Sequence, residues 1–348
     1  MRVLSAPLLA VCFLVACDGS HTDLAQDTSS SSAGGAGTGG SGGEGGIGGQ
    51  GGSPPIVEPD GPAHLTVVNG ITDRPSMQLC FLASPADAGD DAAPWPENPL
   101  DYARTALISE LPGAPLPSSE SVEIVVLTGD LDAAGGASCR EIADDPAGFA
   151  GLEVLSIGAT PVSSFTMPRS LVLVVTGCFG GVDHDGEDLD AICGEGYSPA
   201  TPTPNVVIAP LSRLADPGAV SIQVVNALSS GRVLDAYVRP GFDGVAEVPV
   251  AILVAPGAVA PFPPFTGFSA AELGTISQAL ARFALMGQPG GNETNLTVAL
   301  ENGGIDAAAF SNGKNVALVG VGPFPGAPIG QWWNDFALIA LEPEPSAR

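Results

Sequence analysis

Leu65-Thr66-Val67-Val68-Asn69 and Ile222-Gln223-Val224-Val225-Asn226 carry one pattern twice, 157 positions apart. Each is a short aliphatic, β-branched run of the kind that suits a pleated, buried surface. Without a gap, Met77-Gln78-Leu79-Cys80-Phe81 then meets Leu234-Asp235-Ala236-Tyr237-Val238 at the same offset. Further on, Leu171-Val172-Leu173-Val174-Val175 resembles Val316-Ala317-Leu318-Val319-Gly320. Working outward, Gly, Pro, Asp and Ser punctuate a first series of strands at 64–71, 77–83, 122–128, 152–157, 171–178 and 205–211. A second series follows at 220–228, 234–239, 248–254, 296–300, 315–321 and 336–341. Many short strands with turn signals and few helices predict an all-β fold. The repeated order predicts two tandem β-sandwich domains, 62–213 and 219–343.

A family resemblance sits on the second copy. Val224-Val225-Asn226-Ala227, reaching Asp235-Ala236-Tyr237-Val238 eight positions on, resembles the opening of a bacterial envelope domain of unknown function. Repeats of that family begin Val-Val-His-Ala and reach Asp-x-Tyr-Val; Asn226 stands here in place of the histidine, and the first copy, with Gln78 and Cys80, departs further. The resemblance implies an immunoglobulin-like sandwich and no activity. One helix is expected in the second domain as a cap. Ser269 and Glu272 form a capping box, Leu273, Ile276, Leu280 and Phe283 an apolar stripe, and Gly287 and Pro289 a stop.

The N-terminus reads as an address. Arg2, an apolar run from Leu4 to Val15, and a small residue before Cys17 describe a secretory signal over 1–16. Leu14-Val15-Ala16-Cys17 resembles the lipobox of bacterial lipoproteins, which implies cleavage before Cys17 and lipid attachment to it. Residues 17–61, dense in Gly and Ser, then read as a flexible tether. About 44 such residues give a root-mean-square reach of roughly 35–40 Å. The expected location is the bacterial cell envelope, lipid-anchored and extracytoplasmic, with the membrane partner reached through the N-terminal lipid and the choice of membrane open.

Composition narrows the partners. The chain has 38 acidic residues against 11 Lys and Arg, a net charge of −27, and Lys314 is its one lysine. Such a polyanion is repelled by nucleic acid and by anionic head groups. Of six cysteines, Cys12 leaves with the signal and Cys17 takes lipid. The remaining four, in an oxidising compartment, are expected as disulfides. Three pairings are open; Cys80–Cys139 with Cys178–Cys193 is favoured, because the latter pair brackets one loop. The spacings are not those of zinc sites.

Few residues could carry chemistry. A hydrolase with a shallow acidic site would have only His64 and His184 as bases, and no Gly-x-Ser-x-Gly elbow occurs, so no catalytic residue is assigned. The bracketed loop holds Asp183, Asp185, Glu187, Asp188 and Asp190, and Asp183, Asp185, Asp188 and Asp190 are the candidate ligands for calcium. The competing reading is a solvated acidic turn stapled by a bridge. Phe262, Phe265 and Phe268 recur every third residue in a Pro-rich run, which polyproline II geometry would align on one edge. Trp332 and Trp333 face opposite ways in extended chain. These five are candidate contacts for a carbohydrate or an envelope protein, or ends of the second core. The resulting expectation is a non-catalytic surface lipoprotein, with an extracytoplasmic hydrolase as the alternative.

Overall fold

The computed structural model describes residues 64–84, 92–108, 120–165, 170–239, 248–272, 282–286, 293–297, 307–324, 327, 330 and 332–343. The signal, Cys17 and the tether lie outside these, as do Leu273, Ile276, Leu280, Gly287 and Pro289.

The chain is all-β. In the first repeat β1 (Leu65–Ile71), β4 (Thr105–Ile108), β7 (Ser170–Gly177) and β8 (Asn205–Leu211) form one sheet, ordered β4-β1-β7-β8. The other is β3-β2-β5-β6, from β2 (Ser76–Ser84), β3 (Trp95–Asp101), β5 (Ser121–Gly129) and β6 (Leu152–Pro161). The second repeat reproduces both. Its β9 (Val220–Leu228), β12 (Val259–Phe268), β15 (Asn315–Gly322) and β16 (Ala337–Leu341) are ordered β12-β9-β15-β16. Its β10 (Leu234–Arg239), β11 (Val248–Val254), β13 (Arg282–Met286) and β14 (Glu293–Thr297) are ordered β11-β10-β13-β14. In each repeat the first and seventh strands pair in parallel, Leu65 opposite Leu171 and Ile222 opposite Val316. The segments that match in sequence therefore occupy the same places in the fold.

Alternation explains the packing. Leu65, Val67 and Ile71 of β1 with Leu171, Leu173 and Val175 of β7 face Met77, Leu79, Phe81, Val122, Ile124 and Val126 in the first core. The opposite parity, Val68, Val172 and Val174, together with Val207, Ala209 and Leu211, is not exposed. It packs on Val225, Ala227, Ala317, Val319, Val321, Ile339 and Leu341 of the second repeat. The other faces of those strands, Val220, Ile222, Val224, Val316, Leu318, Leu338 and Ala340, fill the second core. The β1- and β9-containing sheets are thus apolar on both sides. Residues 56–348 accordingly make one compact unit.

Polar groups inside this stack must be satisfied. Asn69 and Asn226, both fully buried, do the same work in the two repeats. Asn69 Nδ2 donates to Leu100 O (2.8 Å), and its Oδ1 accepts from Ile71 N (3.1 Å). Asn226 Nδ2 donates to Val254 O (2.9 Å) and Arg232 O (2.8 Å), and its Oδ1 accepts from Leu228 N (3.2 Å). Their backbones match too. Ala103 N donates to Asn69 O and Gly257 N to Asn226 O, each at 2.8 Å. Ala103 and Gly257 both have positive φ, +56° and +75°. Between the repeats, Gln223 Nε2 donates to Ser212 O (2.8 Å) and Asn315 Nδ2 to Leu214 O (2.7 Å), fixing the connecting segment.

Four strands were not expected: β3, β4, β12 and β13. Pro96 and Pro99 lie in β3, and Pro261, Pro263 and Pro264 in β12, so neither reads as a strand. Both are sheet edges, where a missing N–H costs no ladder bond. The polyproline reading is thereby corrected: Phe265 and Phe268 pair with Ile222 and Val220 in β12. The helix reading holds only at its start. Ser269 N donates to Glu272 Oε2 (2.8 Å), Glu272 N to Ser269 Oγ (3.4 Å), and 270–272 are helical. Phe283, assigned to the helical stripe, is instead in β13 opposite Val238.

Replacing either asparagine leaves buried amide and carbonyl groups without partners. Asn69→Ala and Asn226→Ala are each expected to lower the unfolding free energy by about 1–3 kcal/mol. Urea denaturation of both proteins checks this, and wild-type midpoints would refute the shared role.

Candidate functional site

The turns after the first strand of each repeat differ. Where the second repeat has Ser229-Ser230-Gly231, the first has Thr72-Asp73-Arg74, and it is there that buried charge collects. The side chain of Asp73 is fully enclosed. It accepts from the amides of Phe179 (2.9 Å) and Gly180 (2.8 Å), with Arg74 Nη1 at 3.2 Å and His184 Nδ1 at 3.3 Å. Burial pushes the Asp73 carboxyl above its ordinary range, against the pull of Arg74, the two amides and His184. Arg74 donates from all three nitrogens: Nε to Glu153 Oε2 (2.6 Å), Nη1 to Asp73 O (2.8 Å) and Nη2 to Gly180 O (2.7 Å). Its guanidinium lies 5.8 Å from the Phe179 ring centroid.

These contacts seat the loop that follows β7. His184 Nδ1 lies 2.7 Å from Gly180 O, to which it donates in the tautomer that carries the hydrogen on Nδ1. Arg74 Nη1 lies 3.0 Å from the same nitrogen and donates to it in the other tautomer. Tyr197 OH donates to His184 O (3.2 Å), and burial pushes its phenol up to about 12, with the Asp73 charge adding to the effect. Trp333, from the connection between β15 and β16, packs its ring 5.2 Å from His184 and 6.0 Å, edge-on, from Tyr197. Cys178–Cys193 closes the loop across a Cα separation of 5.4 Å, next to α2 (Leu189–Cys193). The other bridge, Cys80–Cys139, pins α1 (Cys139–Asp144) over the outer face of β2 and β5. Both are the expected pairs.

The second repeat meets this assembly directly. Asn334 Nδ2 donates to Ile71 O (3.0 Å) and Arg74 O (2.7 Å), and Asn334 N to Thr72 O (2.6 Å). Tyr102 OH donates to Asp335 O, and Ser229 Oγ to Ile192 O. Burial raises the Tyr102 phenol strongly.

The expected site residues separate accordingly. Asp183, Asp185, Glu187, Asp188 and Asp190 are all exposed, and Asp185 Oδ1 is taken by Gly186 N (3.0 Å). Among the described residues no three His, Cys, Asp or Glu side chains converge as a metal site, so Asp183, Asp185, Asp188 and Asp190 are not brought together as a calcium set. His64 O accepts from Leu171 N (2.7 Å) as the start of the β1–β7 ladder. A shallow cavity of about 350 Å³ lies between 214–217, Ser221, Pro263, Pro264 and Thr266; it has one carboxylate, Asp216, and no histidine. Trp332 and Phe262 are exposed, Trp333 and Phe268 buried, and Phe265 packs on Phe268 at 5.7 Å. Sequence reading passed over Asp73, Arg74 and Asn334. The available signal was the mismatch of Asp73-Arg74 with Ser230-Gly231 between aligned repeats.

No family model matches the chain, and no curated protein matches it.

Arg74→Met strands a buried carboxylate and is expected to destabilise by about 3–5 kcal/mol. Adding Asp73→Asn should cost less than the sum of the single changes, with a coupling of about 1 kcal/mol or more. Chemical denaturation of the four proteins measures this, and strict additivity would contradict the pairing.

Proposed function

We propose that the protein is a non-catalytic lipoprotein of the bacterial cell envelope, which holds a tandem β-sandwich body outside the cytoplasm for binding or for a structural role. Cys17 is the anchor in this reading and 17–61 the tether. The observation that carries it is the pairing of all four cysteines of the folded body, Cys80–Cys139 and Cys178–Cys193, as expected of a chain that folds where thiols are oxidised. The lipobox-like Leu14-Val15-Ala16-Cys17 supports the anchor. The non-catalytic part rests on how the titratable groups are used. Asp73, Arg74, His184 and Glu153 are committed to one another, to Thr128 and to backbone, an arrangement that builds structure rather than a base beside a nucleophile. The charge of −27 argues for lipid rather than electrostatics as the attachment, and against nucleic acid as partner. Exposed Trp332 is the aromatic contact kept for a carbohydrate or an envelope protein.

Cys17→Ser should shift the protein from the membrane to the soluble fraction and abolish incorporation of a fatty-acid probe. Undiminished labelling of that variant would end the proposal.

A further inference from the structure

The loop from Cys178 to Tyr197 lies in a connection that is longer in the first repeat than in the second. The second repeat goes from β15 to β16 through 323–336, whereas the first goes from β7 to β8 through 178–204. We infer that the extra chain is a strap across the seam between the repeats, anchored firmly on the first and seated lightly on the second, so that it opens from the second repeat's side.

The two attachments are unequal in kind. On the first repeat the strap is held by the Cys178–Cys193 bridge and by the Asp73 carboxylate on two successive amides. The Arg74 guanidinium on Gly180 O and Thr203 Oγ1 on Cys193 O (2.9 Å) add to this. On the second repeat it is held by neutral contacts. Phe324 N donates to Ala191 O (3.0 Å), Ser229 Oγ to Ile192 O, and Trp333 lies against His184 and Tyr197. Charge-assisted bonds are roughly twice as strong as neutral ones, and the covalent bridge cannot open at all without reduction.

The seam beneath favours opening. Thr72 Oγ1 and Ser230 Oγ, from the equivalent turns of the two repeats, are buried without a hydrogen-bond partner. A hydroxyl in that state regains a partner when water enters. The fit is also close enough to be upset selectively. A Cβ at Gly194 would meet Ser229 O at 2.8 Å, and Gly194 has φ of +92°. Gly194→Ala therefore presses on the second-repeat seat without replacing Asp73, Arg74 or either cysteine.

Hydrogen exchange on the full chain tests the strap. In the native protein the Phe324 amide, which closes the light seat, should exchange at least tenfold faster than the Phe179 and Gly180 amides on Asp73. Gly194→Ala should speed Phe324 by a further tenfold or more and leave Phe179 and Gly180 within about twofold. Tyr197, relieved of Trp333, should then titrate lower than in the native protein, read as tyrosinate absorbance against Tyr197→Phe. Ser229→Ala, which removes one hydroxyl without strain, should move Phe324 in the same direction and serves if Gly194→Ala does not fold. Equal exchange at Phe324, Phe179 and Gly180 in the native protein would overturn the inference. So would variants that accelerate all three together.

Discussion

The central strands of the β1- and β9-containing sheets have no face left for water. Strands in that position are covered at both parities, as β7, β9 and β15 are along their whole length, so they are mostly apolar. Each presents one parity to its own partner sheet and the other to the neighbouring repeat. Burial there is of the dense, interdigitated kind that tolerates little change in volume. Everything else in the body answers to it. The parallel β1–β7 and β9–β15 pairs can sit there because parallel ladders suit fully covered sheets. The proline-rich strands are at the edges, where the ladder makes no demand on them.

A dry layer of this kind sets strict terms for polar groups. Asn69 and Asn226 meet them in the same way, each bonding a carbonyl of the facing sheet and the amide two residues on, which marks the asparagine as part of the repeated architecture rather than a departure in one copy. Thr176 Oγ1, on β7, meets them across the interface by donating to Ala227 O (2.9 Å). At the end of the interface the symmetry breaks. The first repeat places Asp73-Arg74 where the second keeps Ser230-Gly231, and the charged pair recruits the disulfide loop, β6 through Glu153, and Asn334. Buried ions are poor stabilisers by themselves, because desolvation offsets their attraction. Their value here is positional: the carboxylate and guanidinium dictate where Phe179 and Gly180 must lie.

The repeat was legible because strand order is fixed by local runs that survive in both copies, and Leu65–Asn69 and Ile222–Asn226 stand in equivalent strands. The edges were not legible. Trp95–Asp101 and Val259–Phe268 carry the residues that ordinarily mark turns, and only the sheet beside them makes them strands. Phe283 misled for the opposite reason. Its spacing from Leu273, Ile276 and Leu280 fits a helix, yet pairing with Val238 holds it extended. The acidic loop drew attention through charge density, while the residues that organise it, Asp73 and Arg74, lie about a hundred positions earlier in a turn with no motif. Continuous apolar runs such as Leu171–Val175 did contain the sign of two-sided burial. Alternation alone cannot say what covers the second face.

Calorimetry of the whole folded body tests the shared layer most directly. If the two inner sheets bury each other as described, neither repeat can unfold without stripping the other, and heating should give one transition whose calorimetric and van't Hoff enthalpies agree. Two resolved transitions, one for each repeat, would contradict the account.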